Sequence, residues 1–382
     1  MDVLHACCAG LDVHKKTVVA CVRRVGPDGA VSREVRTFGT TTAELLALSD
    51  WLKVHDVGHV AMESTGVYWK PIYNLLEGDF EVMLVNAHRI KQVPGRKTDV
   101  KDAEWIAQLL QYGLLSPSFI PPPEIRKLRD LTRQRTQIVR DHADVANRIQ
   151  KVLEDANIKL SSVASDVLGV SGRAMIRAII DGQDDPDELA GMAKRRLRGK
   201  IPELKQALHG RVTEHHRFLL RALLDQIELL EGLIARYDAR IDEAMAPFVE
   251  AEERLRGIPG VGEKAAEVIM AEVGPDMTPF PTAGHLSSWA GLCPGNDQTA
   301  GKQRSGKTTK GSQWLRTTMV QVAWAASRTK ATIFSACYHR WVKRMGKKKA
   351  LVAVAHKILV VVYHLLKNGT DYREDWKPAK VA

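Results

Sequence analysis

Apolar and polar positions change rhythm along the chain. In the first third, "ACCAGLDVH", "TVVACVRRV" and "SREVRTFGT" carry the short β-rich runs of strands, and "TAELLALSDWLKVH" comes next with helical spacing. "HVAMEST" then predicts a strand, "YWKPIYNLLEG" a helix, "FEVMLVN" a strand and "TDVKDAEWIAQLLQYG" a helix. Three strands able to form a meander, followed by alternating helices and strands, predict a mixed α/β sheet covered by helices. The prolines of "SPSFIPPPE" can continue neither a helix nor a central strand, so a domain boundary is expected near residue 120.

Beyond it the pattern is helical. Ile138, Val145, Ile149 and Val152 recur at helical spacing after Glu124. Between about Thr213 and Met245, Leu223, Ile227, Leu230, Ile234, Tyr237 and Ile241 alternate steps of four and three. That row fits the seam of an intermolecular coiled coil and equally the packing stripe of a helical bundle. "GQDDPDELAGMAKRRLRGKIPE" between the two helices reads as a helical insertion. The last third opens with the turn "IPGVGEKAA" between helices and continues as helices through "SQWLRTTMVQVAWAASR" and "KKALVAVAHKILVVVYHLLK". The expected organisation is an α/β domain over 1–120, a helical coiled-coil region with its insertion over 121–250, a C-terminal domain over 251–370 and a tail over 371–382.

With 382 residues, 45% hydrophobic and 26% charged, the chain is long enough for two or three domains, each burying its own core. The most apolar segment, "ALVAVAHKILVVVYHLL", contains His356, Lys357 and His364 and is expected to be a buried helix. With no basic, apolar leader at the start, a cytoplasmic, nucleoid-associated protein without a membrane partner is expected. Cys7, Cys8, Cys21, Cys293 and Cys337 show no CxxC pair and read as reduced, small side chains. Trp289, Trp314 and Trp324 are expected to be core anchors, with base-stacking platforms as the alternative.

Charge changes the picture more than composition does. The net charge is +11, yet Gln298–Thr370 holds 15 Lys and Arg and no acid, which leaves −4 for the remainder. A segment of this kind is suited to a phosphate backbone.

Candidate chemistry lies in four acids of the first domain. Asp12 interrupts an apolar strand, where an unpaired carboxylate is costly to bury. Glu63 ends another strand, and Asp99 and Asp102 lie three apart at a helix start. If the two strands are neighbours, the four can meet at one end of the sheet. Divalent cations such as Mg²⁺ would neutralise them, and two such ions about 4 Å apart support phosphodiester cleavage.

"GLDVHK", "MESTGVYWKP" and "KTDVKDAEWIA" resemble the motifs of the IS110-family transposases. The resemblance implies a RuvC-like, RNase H-type first domain whose D-E-D-D tetrad falls on Asp12, Glu63, Asp99 and Asp102, binding Mg²⁺ or Mn²⁺. It extends from about Gly10 to about Lys367 and is weakest in the insertion.

"GKQRSGKTTKG", Gly301–Gly311, also matches a nucleotide-binding P-loop, G-x-x-x-x-G-K-[ST]. A P-loop needs a strand before it and a helix directly after it. Here "GLCPGNDQTA" precedes it and Gly311 interrupts the helix that should come next, so the match is set aside. "GLCPGNDQTAGKQRSGKTTKGSQWLR" instead resembles the IS110 segment that carries a hydroxyl nucleophile. The family's serine falls on Thr299, with Ser305 as the fallback. Gly301, Gly306 and Gly311 would let backbone approach a phosphodiester, and Lys302, Arg304, Lys307, Lys310 and Arg316 would hold it. "IPGVGEKAA" resembles a helix-hairpin-helix turn, in which the Gly260 and Gly262 amides would meet a nucleic-acid phosphate.

The resemblance further implies a homodimer or homotetramer whose two sites meet across protomers. It also implies DNA partners at element ends and target, and a guide (bridge) RNA. A junction-cleaving nuclease using the tetrad alone and a non-catalytic nucleic-acid-binding derivative are the alternatives.

Overall fold

The alternating segments at the start of the chain form the strands β1 (Cys7–Val13), β2 (Thr17–Val25), β3 (Val31–Gly39), β4 (His59–Glu63) and β5 (Glu81–Val85). Between and after them lie helices α1 (Thr42–Val54), α2 (Trp69–Leu76) and α3 (Asp102–Gln111). The computed structural model describes residues 2–63, 66–86, 102–295, 297–299, 302–305 and 307–374. It divides into two compact units, Met1–Ile120 and Pro121–Ala382.

In the first unit the sheet order is β3-β2-β1-β4-β5. The β1–β2 and β2–β3 pairs are antiparallel, whereas β1–β4 and β4–β5 are parallel. Period-two alternation then sorts the side chains onto two faces. Ala9, Leu11 and Val13 of β1 join Val60 and Met62 of β4 against Leu48 of α1 and Ile72 of α2. Cys8, Ala61 and Val85 point the other way, onto Ile106, Leu109 and Leu110 of α3.

Gly10 fixes how close α3 comes. A Cβ at this position would lie 2.3 Å from the Ala107 nitrogen and 2.4 Å from the Ala103 oxygen, so the helix backbone rests directly on β1. At its other end, the Gln111 carbonyl accepts the Leu4 and His5 amides at 2.9 and 3.2 Å, and its side chain accepts Arg23 Nε at 3.0 Å. The helix therefore runs opposite to β1, with its first residue, Asp102, towards the C-terminal end of that strand.

The second unit is mainly helical. A long hairpin of α4 (Pro123–Asp155) and α9 (Glu214–Met245) encloses the short helices α5 (Leu160–Val163), α6 (Val170–Ile180), α7 (Pro186–Gly191) and α8 (Ile201–Ala207). Pro123 stands at the first position of α4, where its fixed φ suits the helix and its missing N–H has no partner to lose. The hairpin is antiparallel: Arg135 meets Asp238 at 2.6 Å at one end, and at the other His216 Nε2 lies 3.0 Å from Asp155 Oδ2. The apolar row of α9 is used within the chain. Ile227 and Leu230 join Val145, Ile149 and Leu153 of α4 and Ile176, Ile179 and Leu204 of the insertion in one core, with Leu223, Ile234 and Tyr237 partly buried at its edge. The insertion is thus a small lobe that completes the tip of the hairpin.

After α9 come α10 (Val249–Arg256), α11 (Glu263–Val273), α12 (Ala283–Trp289), the hairpin strands β6 (Asp297–Thr299) and β7 (Lys302–Ser305), α13 (Gln313–Ala326), α14 (Ile333–Met345) and α15 (Lys347–Asn368). By length and composition α15 could cross a membrane, with a mean hydropathy of 1.7 over its most apolar stretch. In this unit it packs on α10, α12, α13 and α14 and shields Val354, Ala355, Ile358 and Val362 completely, as its sequence predicts. The tryptophans depart from expectation. Trp289 and Trp314 are only half-buried, and Trp324 is 53% exposed on the outer face of α13, because the inner face is filled by Leu315, Met319, Val322, Ala323 and Ala326.

Two substitutions test these supports. Gly10→Val should lower the unfolding free energy by about 1–3 kcal/mol through overpacking, whereas Gly58→Ala, with open space at its Cα, should stay within about 0.5 kcal/mol. Chemical denaturation of both variants measures the difference. In the second unit, Glu272 is fully buried and accepts Arg133 Nε and Nη2 at 2.7 and 2.9 Å and Ser312 Oγ at 2.8 Å. Glu272→Ala leaves Arg133 without its carboxylate and should cost about 3–5 kcal/mol in the same measurement.

Candidate functional site

The parallel register of β1 and β4 aligns Leu11 with Met62, and one step further along the same register stand Asp12 and Glu63. Both share the parity of Gly10 and Ala61, so they lie on the α3 face of the sheet. That face is where Asp102 enters, one residue before the Ala103 carbonyl that touches Gly10. Three of the four predicted acids are thus gathered at the C-terminal ends of β1 and β4 and the start of α3. Asp99 lies outside the described residues. The Asp12 side chain is 22% exposed, and its Oδ2 stands 3.1 Å from Nε2 of His14. An all-carboxylate donor set at the edge of an apolar sheet is the chemistry that suits a hard divalent cation.

Among the described residues, the acids whose oxygens all approach within 4.8 Å are a different trio, Asp242, Glu263 and Glu267. Lys264 Nζ occupies their midst, 2.8 Å from Glu267 Oε1, 3.4 Å from Glu263 and 3.9 Å from Asp242, with Asp238 at 3.0 Å. Its burial opposes its charge, but these carboxylates hold its pKa above the usual lysine range. An ammonium of the chain already stands where a cation would sit among this trio.

The second predicted site lies on a β-hairpin. Thr299 on β6 pairs with Lys302 on β7 in an antiparallel ladder. Below the strands, the Gly295 amide donates to the Lys307 carbonyl at 2.9 Å and the Thr309 amide to that of Cys293 at 3.2 Å. Gly291 and Gly311 close the neck: a Cβ on Gly311 would stand 2.3 Å from the Gly291 nitrogen. Within "GKQRSGKTTKG", Lys302–Ser305 is therefore the second strand of the hairpin, and Lys307, Thr309 and Gly311 belong to the neck that leads to α13. Gly301 and Gly306 lie outside the described residues. Lys307 and Lys310 are exposed and Arg316 is half-buried near the start of α13.

The "IPGVG" turn divides its two glycines. Gly260 has φ +90°, and a Cβ there would stand 2.7 Å from the Ala326 nitrogen and the Val322 oxygen, so this glycine serves the packing of the turn on α13. Gly262 precedes α11 with open space at its Cα.

Two supporting residues are absent from the sequence-based expectations. His14 was legible through the same alternation that singles out Asp12, since residues two apart on an extended segment share a face. Glu272 was not, because an acid within "EKAAEVIMAEVG" carries no local sign that two arginines of a helix some 140 residues earlier approach it. Arg129, whose Nε donates to the Ala271 carbonyl at 3.1 Å, is pushed down to about 10 by its burial. Cys8 and Cys21 are pushed up to about 12 and about 11 by theirs, which leaves inert thiols.

Residues 9–158 match the family model described as the DEDD transposase of the IS110 type, and residues 252–339 match that of the IS116/IS110/IS902 transposase family. A "Probable family 20 transposase" of Pseudomonas aeruginosa is 26% identical over 322 residues, covering 82% of this chain and 85% of its own. The transposase for insertion sequence element IS1111A of Coxiella burnetii is 25% identical over 325 residues, 83% of this chain and 80% of its own. A pilin gene-inverting protein of Moraxella bovis is 28% identical over 158 residues, 39% of this chain and 48% of its own. With both family models in chain order and relatives aligned along four-fifths of its length, the chain belongs to the IS110/IS116/IS902 family of transposases.

Proposed function

We propose that this transposase cleaves and rejoins DNA with two sets of groups, a metal-binding tetrad of Asp12, Glu63, Asp99 and Asp102 and a hydroxyl nucleophile at Thr299. The observation that carries the reading is the parallel register of β1 and β4, which pairs Leu11 with Met62 and so sets Asp12 and Glu63 one step beyond it, on the face where α3 delivers Asp102. The meander followed by parallel strands, in the order β3-β2-β1-β4-β5, supports an RNase H-like, RuvC-like frame for these acids. Mg²⁺ or Mn²⁺ held by them would polarise the phosphodiester and favour the ionised attacking oxygen.

The chain's own residues do the rest. The Thr299 hydroxyl attacks phosphorus, a phosphodiester P–O bond breaks, and the departing DNA oxygen takes up a proton. The bond energy is kept in a protein–DNA phosphodiester that a second strand end can reverse. Lys302, Arg304, Lys307, Lys310 and Arg316 offset the charge that develops on the phosphate oxygens. The open amide end of α11 at Gly262 offers a contact to backbone phosphate, and Gly260 sets its position.

In this reading 1–120 carries the metal, 121–250 spaces the ends, and 251–370 carries the nucleophile. Strand exchange needs two ends in one assembly, which supports a homodimer or homotetramer with composite sites. The acid-free stretch from Gln298 to Thr370 suits backbone contact without sequence choice, so pairing with a bridge RNA would supply the choice of site. A soluble, nucleoid-associated protein is expected from the same charge.

Recombination of element-end DNA with Mg²⁺ and co-purified RNA tests the reading. Asp12→Asn and Glu63→Gln should each lower cleavage on the order of 10²–10³-fold while leaving the thermal unfolding cooperative. Thr299→Ala should abolish the covalent protein–DNA adduct. Adduct lost only in Ser305→Ala would move the nucleophile there, and full cleavage in both variants would leave a nuclease that works through the tetrad alone.

A further inference from the structure

The outer face of α13 lies beside a groove of about 390 Å³, lined by α4, the "IPGVG" turn, α11 and α13. Trp314 forms one wall. Arg140 of α4 stands over its ring, with the guanidinium carbon 5.0 Å from the centroid, and Arg133 stands at 5.7 Å. Arg133 is committed to Glu272, and Arg135 at the groove's edge is committed to Asp238. Arg140 is exposed and forms no ion pair among the described residues, so its charge faces the groove and solvent.

The same face continues along the helix. Thr317, Thr318 and Gln321 succeed Trp314 on the groove side. One to two turns on, Trp324 is 53% exposed, with Arg328 stacked on its ring. The two tryptophans are about 15 Å apart along the axis at 1.5 Å per residue, which spans a few nucleotides rather than one. A large indole left outside a core that five other side chains of its helix enter needs a reason, and an arginine on each ring makes an apolar contact with a protein a poor one. Flat π faces flanked by guanidinium groups, with amide and hydroxyl groups between them and no acid from Gln298 to Thr370, are the equipment of a platform for unpaired bases and their phosphates.

We propose that Trp314 and Trp324, with Arg140 and Arg328, form a binding site for single-stranded nucleic acid along the outer face of α13. The bases stack on the indoles, Gln321 and Thr318 hydrogen-bond their edges, and the arginines hold the phosphates. The proposal takes the class of ligand from the transposase reading but uses neither the tetrad nor Thr299. DNA and RNA present the same π faces and phosphates, so the site accepts an unpaired segment of either.

Binding of fluorescently labelled 12-nucleotide oligo-dT, oligo-U and a duplex of equal length, followed by anisotropy on the full-length Asp12→Asn protein, tests it. In that background Trp324→Ala and Trp314→Ala should each weaken single-strand binding about tenfold, and Trp324→Phe should restore most of it. Arg140→Ala should reduce both the affinity and its salt dependence. Preference for oligo-U or for oligo-dT identifies the natural strand, and either outcome upholds the site. Because Trp324 is exposed, its alanine variant should keep the parent's melting temperature. Oligonucleotide affinity unchanged in Trp324→Ala and Trp314→Ala overturns the proposal, as does a change confined to the duplex or to the sedimentation of the protein alone. Failure of metal-dependent cleavage in the wild type would sink the tetrad reading, while the single-strand affinities alone decide for or against the groove.

Discussion

The absence of a side chain at Gly10 is the constraint on which the first unit depends. Strand and helix normally stand apart by the thickness of their side chains, yet here the α3 backbone lies on β1 itself. That contact sets the height and direction of α3. With Gln111 anchored near Leu4 and His5, the start of the helix has one place to be, at the strand end that carries Asp12. Asp12 and Glu63 each come one residue after the last pair of the parallel ladder, Leu11 with Met62, so backbone pairing sets where both carboxylates emerge. A glycine, a ladder and a helix direction thus bring three acids from distant parts of the sequence to one end of the sheet.

The second unit uses an opposite device, a buried charge. Glu272 receives Arg133 from α4 and the Ser312 hydroxyl that also caps α13, while Arg129 reaches the carbonyls beside it. Such a node contributes little to net stability, since desolvation offsets most of the attraction, but its geometry admits one arrangement. The arrangement it selects holds α4, α11 and α13 together, and α13 comes directly after the neck of the hairpin that bears Thr299. Gly291 and Gly311 then pin that neck by backbone proximity, leaving the hairpin to project from a rigid base.

Much of this was legible in the residues, and the reasons differ by element. The strands and helices of the first unit could be read because one face of each is buried and period-two and period-3.6 patterns report that directly. Asp12 was legible because a carboxylate amid Leu11 and Val13 is costly without a purpose, and α15 because its histidines and lysine belong to a core helix. The seam of α9 was ambiguous, since Leu230 or Ile227 looks the same whether its partner helix belongs to the same chain or another; here α4 and the insertion cover them. The tryptophans misled because burial of an indole is the commoner outcome, and nothing local in "TMVQVAWAASR" shows that the opposite face of α13 is already filled. Gly260 shows the same limit: its positive φ was foreseeable, but its contact with the end of α13, some sixty residues on, was not.

The distribution of charge links these devices to chemistry. A phosphodiester carries one negative charge in the ground state and more in the transition state, so a site that cleaves it must offer positive charge that water cannot replace. In the proposed reading the carboxylates of the first unit serve this end by concentrating divalent cations at one strand end. The last third offers guanidinium and ammonium groups, fifteen between Gln298 and Thr370 in a segment that contains no acid. Arg133, Arg135 and Lys264, by contrast, are each committed to carboxylates of the chain. Among the described residues, Lys264 stands amid the acids of α9 and α11, while Arg140 and Arg328 flank the tryptophans of α13.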